Sequence, residues 1–265
     1  MSDPITFGGP IVWRPTAEHI RGANLTAFMA AHGIHVDEAD PRAAFDTLMA
    51  RSTADVAWFT DAVLRWLDIR FATPYRTVVD LSRGIQWPQW CVDGRMNIVH
   101  NCLDKHAGTA ADDRTALVFE GEDGVTAEWT YAQLRAEVNR AANALTALGV
   151  GRGDAVGIFM PMVPEIAVAL LATAKVGAIA LPLFSGYGAE AIVSRMVDAG
   201  AVALFAADGA WRRGKAAAMK PVADEAAAQI PTLRHMIVLR RTGQDVPMTP
   251  GRDVWWHDLV AAQPA

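Results

Sequence analysis

The chain has 265 residues, 52% of them hydrophobic and 20% charged, which excludes wholesale disorder and allows a substantial core without covalent staples. Lysine and arginine number 24 against 29 acidic residues, a net charge of −5, so no basic excess invites nucleic acid or an anionic membrane surface. The two cysteines, Cys91 and Cys102, form no C-x-x-C pair and no Cys/His cluster, which argues against a disulfide framework or zinc site and fits a reducing compartment.

Residues 1–15 hold no basic stretch followed by an apolar run, so no secretion signal is read and a cytoplasmic location is expected. On that reading the glycosylation pattern Asn24-Leu25-Thr26 is a chance match. Apolar runs such as 166–174 are too short to span a bilayer. Residues 16–106 read as mainly helical and rich in tryptophan. Within them, 55–68 places Val56, Phe59, Val63, Trp66 and Leu67 on one helical face. Residues 74–94, punctuated by Pro74, Gly84, Pro88 and Gly94, are expected to form a long irregular loop that wraps over a neighbouring domain. A short helix is expected over 96–106. His32 and His35, three positions apart around a glycine turn, fit a surface loop better than a metal site.

From Arg114 onward, strand and helix signals alternate. Residues 116–120 and 125–129 flank a turn at 121–124 and predict a hairpin. Thr130 to Gln133 is a capping box, followed by a helix with Leu134, Val138, Ala141, Leu145 and Leu148 on one face and a stop at Gly149. Strands are expected at 154–160, 178–183, 202–206 and 235–239. Helices are expected at 164–175, opened by Pro164, at 189–198, and at 216–229 with Pro221 as a break or restart. This rhythm predicts an α/β fold, a partial parallel sheet flanked by helices, preceded by a helical N-terminal extension. The expected division is 1–106 for the extension with its wrapping loop and 107–265 for the α/β subdomain.

Three glycine or cation motifs bear on chemistry. Gly149-Val150-Gly151-Arg152-Gly153 follows a helix and precedes a strand, the reverse of a dinucleotide fingerprint, and reads as a helix stop. Phe184-Ser185-Gly186-Tyr187-Gly188 lies between a strand and a helix, where a parallel sheet binds ligands and a helix N-terminus favours anions; a plain tight turn is the alternative. Trp211-Arg212-Arg213-Gly214-Lys215 also follows a strand, and its cations either grip phosphate or form a solvated surface. No phosphate-loop motif of the G-x-x-x-x-G-K-[ST] kind occurs, and no G-x-S-x-G elbow, kinase set or nucleophile–base pair is evident. No catalytic residue and no metal ligand is assigned.

The segment Gly153-Asp154-Ala155-Val156-Gly157-Ile158-Phe159-Met160-Pro161-Met162-Val163-Pro164-Glu165 resembles the early core motif of the acetyl-CoA synthetase family, within the adenylate-forming superfamily. Trp129-Thr130-Tyr131, Val176-Gly177-Ala178, Phe184-Ser185-Gly186-Tyr187, the stretches 237–243 and 251–259, and the helix at 97–106 continue the resemblance, over about residues 55–260. It implies the N-terminal portion of an AMP-forming acyl-CoA synthetase. Such an enzyme converts a carboxylic acid to an acyl-adenylate with ATP and magnesium, then transfers the acyl group to coenzyme A. By the same resemblance, Arg212, Arg213, Gly214 and Lys215 hold the nucleotide end of coenzyme A, and Phe184, Ser185 and Gly186 lie beside its channel. Lys215 and Ser185 depart from the family's usual arginine and glycine.

The resemblance places the ATP phosphate loop shortly beyond Val260. The expectation is therefore a polypeptide truncated before that loop and inactive alone, with ATP and magnesium serving only the full-length enzyme. Its partners are expected to be small molecules, with self-association through the face left exposed. Acetate and other short acids fit the resemblance. The alternatives are a stand-alone module that binds coenzyme A or a nucleotide, or the scaffolding half of a split synthetase.

Overall fold

A computed structural model describes Gly9 and residues 12–265; most of the leading stretch read for a secretion signal lies outside the described residues. The chain divides into two compact units, Met1–Arg95 and Met96–Ala265. The sequence had suggested 106 as the boundary. The helix expected to close the N-terminal extension belongs instead to the second unit, where the Asn97 side-chain amide donates to the carbonyls of Ala174 and Lys175 at 2.9 and 3.0 Å.

The first unit contains helices α1 (Ala17–Gly22), α2 (Asn24–Ala31), α3 (Pro41–Ala54) and α4 (Val56–Trp66), then strands β1 (Thr77–Asp80) and β2 (Gln89–Val92). Asp55 caps α4 by accepting the Trp58 N–H. Its small core gathers Phe28, Met29, Ile34, Ala44, Leu48 and Ala62, with Trp58, Phe59 and Val63 packed against them. Of the five residues read from sequence on one helical face, Phe59 and Val63 pack on this core, whereas Val56, Trp66 and Leu67 are exposed. The loop expected over 74–94 is partly ordered as an antiparallel pair, with Thr77 opposite Val92 and Val79 opposite Trp90. Two such short strands, with prolines and glycines between and beside them, carry too little alternation to be read as a hairpin.

The second unit begins with α5 (Ile98–Cys102) and a 3-10 turn at Asp104–His106, then the hairpin β3 (Thr115–Glu120) and β4 (Thr126–Thr130). Helix α6 (Tyr131–Ala147) follows at once. Both capping-box bonds form: the Gln133 N–H donates to Thr130 Oγ1 at 3.3 Å, and the Thr130 N–H to Gln133 Oε1 at 2.8 Å. Two orphan amides at the helix start are thereby satisfied. Next come β5 (Ala155–Phe159), α7 (Pro164–Lys175), β6 (Ile179–Pro182), α8 (Ala189–Asp198) and β7 (Ala203–Ala207). The chain ends with β8 (Gly209–Arg212), β9 (Lys215–Ala218), α9 (Lys220–Ala227), β10 (His235–Leu239), β11 (Asp253–Trp255) and α10 (Trp256–Ala261).

Five of these strands form one parallel sheet in the order β11-β10-β7-β5-β6. Every residue of β5 and β7 is buried, as strands covered on both faces must be. Helices α5, α6, α7 and α10 pack together, and α8 packs on α9, giving two helical layers about the sheet. From β5 the chain crosses to β6 on one side and then returns past β5 to β7. Strand order thus reverses between β5 and β7, the switch point where open α/β sheets leave a crevice at their carboxyl ends.

The helix foreseen over 216–229 begins only at Lys220, with Pro221 in its first turn. Residues 215–218 form β9 instead, paired with β8 from Gly209 opposite Ala218 to Arg212 opposite Lys215. Alanine favours helix locally, but pairing with a neighbouring strand overrides that preference here.

Gly157 lies in β5 directly beneath α8. A methyl group there would overlap Met196 Sδ and approach Leu204 Cδ1 to 2.9 Å. Gly157→Ala is therefore expected to destabilise the second unit by about 1–3 kcal/mol through overpacking. Urea unfolding checks this, and an unchanged midpoint would show that α8 moves aside freely.

Candidate functional site

A cleft of about 600 Å³ opens at the carboxyl ends of the strands. Its walls come from the segment after β5 (Pro161, Met162, Val163), the β6–α8 loop (Ser185, Gly186), the β8–β9 hairpin (Ala210 to Arg213), the end of β3 with its turn (Phe119 to Glu122), and Arg241 beyond β10. The cleft thus straddles the switch point. It also brings together two motifs that lie far apart in sequence.

Of the seven residues singled out, Ser185, Gly186, Arg212 and Arg213 line this cleft. Phe184, Gly214 and Lys215 do not. The Phe184 side chain is 60% exposed and meets the Tyr187 ring edge-on at 5.6 Å. Arg213 and Gly214 form the two-residue tip of the hairpin, with φ of +52° and +72°. Positive φ at both positions is the turn that matches strand twist, and glycine is suited to it, whereas arginine is not. The cations therefore sit at a hairpin tip rather than at the start of a helix.

Sequence reasoning missed Asp208, Arg241, Glu122 and Asp123. Asp208 follows β7 and is fully buried. Its carboxylate accepts backbone N–H groups from Gly209, Arg241, Thr242, Gly243 and Gln244 at 2.7–3.2 Å. A buried charge needs such compensation. The one sequence signal is an aspartate standing between an all-apolar strand and a glycine.

The Arg241 guanidinium donates to both carboxylate oxygens of Asp123, on the β3–β4 turn, at 2.7 and 2.8 Å. Both side chains are largely buried, 15% and 17% exposed. The Arg241 hydrogen bond holds the Asp123 carboxyl down to about 2. Because the folded value is depressed, the pair's contribution is complete above the ordinary aspartate range and is lost as pH falls through about 2. An NMR titration of Asp123 is expected to show that low midpoint, and an ordinary one would mean the pair is open in solution.

The cleft carries both charge signs, because Glu120 and Glu122 share its lining with Arg212, Arg213 and Arg241. An anion placed there would meet directed donors rather than a broad positive field. Two further hollows border α6, α7 and α10, lined by Glu137, Arg140, Glu165 and Trp256; burial pushes the Glu165 carboxyl up. Among the described residues, no helix is long and apolar enough to cross a membrane, and no group of three or more His, Cys, Asp or Glu could hold a metal ion.

Comparison with known proteins agrees with this architecture. The family model for AMP-binding enzyme matches residues 103–263, and that for acetyl-coenzyme A synthetase N-terminus matches 45–102. The chain is 45% identical over 197 residues to an acetyl-coenzyme A synthetase of Streptomyces avermitilis, covering 74% of the chain and 30% of that protein. It is 40% identical over 261 residues to one from Mycolicibacterium smegmatis, covering 98% of the chain and 25% of that protein. An acetoacetyl-CoA synthetase structure from Streptomyces lividans superposes with a TM-score of 0.84 at 33% identity, covering 96% of this chain and 38% of that one. The chain thus spans about a quarter to a third of the length of these relatives. It belongs to the AMP-binding enzyme family and corresponds to the N-terminal portion of its acetyl-CoA synthetase-like members.

Proposed function

We propose that this chain supplies the coenzyme A-binding portion of an AMP-forming acyl-CoA synthetase acting on short carboxylic acids such as acetate. In that reaction ATP activates the acid as an acyl-adenylate with loss of pyrophosphate, and the thiol of coenzyme A then displaces AMP. Activation matters because AMP leaves far more readily than an unactivated carboxylate oxygen. Magnesium offsets charge on the ATP phosphates. Both ATP and magnesium are proposed to act in the longer enzyme.

One observation carries the reading: Ser185-Gly186 and Arg212-Arg213 line a single cleft at the switch point. Its volume is in the range of small-molecule sites, and Arg212 and Arg213 are exposed donors at its mouth. Guanidinium forks suit phosphate groups, and a loop of small residues leaves room for a narrow chain beside them. Coenzyme A, with a phosphorylated nucleotide end and a slender thiol arm, has that form.

The 265-residue polypeptide alone is proposed to bind coenzyme A without making the adenylate. Calorimetry at low salt is expected to show binding of coenzyme A, and an ATP–pyrophosphate exchange assay to show no turnover. Absence of binding would remove the first half of the proposal, and measurable exchange would remove the second.

A further inference from the structure

We propose that Glu122, on the β3–β4 turn, is a positioning residue for the arginine hairpin: it holds the Arg213 N–H and so fixes the tip that presents Arg212 and Arg213 to the cleft. The ligand side of this inference rests on the coenzyme A reading above. Its geometric side stands apart from it.

The hairpin needs an outside support. Each of its strands has four residues, and all of β9 is exposed, so packing does little to hold the tip. Arg213 adopts φ of +52°, a left-handed backbone conformation that is strained for a residue with a side chain. The Glu122 carboxylate accepts the Arg213 N–H from a different element altogether. The turn that carries Glu122 is itself tied down. Within it, the Gly124 N–H donates to the Gly121 carbonyl at 2.9 Å and the Gly121 N–H to the Val125 carbonyl at 2.8 Å. Its next residue, Asp123, is locked to Arg241 by the two-bond pair.

Two routes therefore run from buried Asp208 to the same amide. One follows β8 from Gly209, whose N–H the Asp208 carboxylate accepts, to Arg213. The other passes from Asp208 to the Arg241 N–H, through the Arg241 side chain to Asp123, and back along the turn to Glu122. The ring closes at Arg213. A carboxylate beside an anion site is otherwise a liability, since its charge repels the ligand. That opposition makes the direction of a substitution's effect informative.

Glu122→Gln removes the charge but keeps an acceptor oxygen, whereas Glu122→Ala removes both. Two measurements on the whole chain decide the matter: hydrogen exchange at the Arg213 amide, and calorimetric affinity for coenzyme A and for adenosine 3′,5′-bisphosphate. Loss of one hydrogen bond should accelerate Arg213 exchange and weaken both ligands by about three- to tenfold in Glu122→Ala, with Glu122→Gln at wild-type affinity or tighter. If both variants bind more tightly by a similar factor, Glu122 acts only as a repelling charge and the proposal falls. Accelerated exchange with unaltered affinity overturns the positioning role as well. Should the wild-type chain bind neither ligand, the coenzyme A reading fails by itself and exchange alone decides the latch. Acceleration in the alanine variant, restored by glutamine, then upholds it, and an unchanged rate overturns it.

Discussion

Replacing Arg212 by alanine is expected to weaken coenzyme A binding by about tenfold or more at low salt, the loss of one charge-assisted hydrogen-bonding group. Arg212 lines the cleft and is exposed, so the variant should fold normally and its effect should appear in affinity alone. Added salt should shrink the difference, because an exposed guanidinium is screened over about 8–10 Å at physiological ionic strength. Lys215→Ala is expected to cost less, about two- to threefold. Its side chain does not line the cleft, although Lys215 pairs with Arg212 across the hairpin. Calorimetry on both variants tests the ranking. Equal affinities for wild type and Arg212→Ala would place the ligand elsewhere on the molecule.

A second large effect is expected at a site with no direct part in ligand binding. Lys220 is fully buried, and its ammonium donates to both Asp224 oxygens at 2.7 and 2.8 Å, to Asp253 Oδ2 at 2.8 Å and to the Pro247 carbonyl at 2.9 Å. Asp253, also fully buried at its side chain, accepts from Arg252 Nε at 2.6 Å and from the Thr249 N–H at 2.9 Å. Burial alone would push the Asp253 carboxyl up, but hydrogen bonds from Arg252 and Lys220 outweigh it and hold the group below the usual range. This cluster ties the start of α9 to β11 and so fastens the edge of the sheet.

Asp253→Ala would leave a buried ammonium with a single carboxylate partner. The expected cost is about 3–5 kcal/mol, the penalty for breaking a buried pair from one side. The double variant Lys220→Met, Asp253→Leu should cost less than the two single changes added together, since no buried charge is then stranded. Urea unfolding of the wild type, Asp253→Ala, Lys220→Met, Asp253→Leu and the double variant provides the comparison. A loss below about 1 kcal/mol for Asp253→Ala would mean that water reaches the cluster and the charges are not truly desolvated.

Much of the fold is legible in the sequence. Helices α7 and α8 and strand β10 lie where periodicity placed them, because each writes its own pattern within a few residues: Pro164 opening one helix, a buried stripe through Ile192 and Met196, an unbroken apolar run at 236–239. The capping box at Thr130 and Gln133 is likewise a short-range device. The hairpin at 209–218 was not legible. Ala216, Ala217 and Ala218 prefer helix when taken alone, and only a strand beside them makes them extended.

The family resemblance, the alternation of strand and helix, and the two motifs that carry glycine or positive charge can all be read from residue order alone. Only the folded chain shows that Ser185 and Arg212 line one cleft, that Lys215 is not part of its lining, and that Arg241 and Glu122 belong to its walls. The reason is range. Helix and strand periods are set by neighbours a few positions away, whereas the cleft is assembled from segments between Phe119 and Arg241 whose proximity depends on the strand order of the sheet. Asp208 shows the limit most sharply: one aspartate among many in the sequence, it becomes the anchor of the site only because folding brings five amides to its carboxylate.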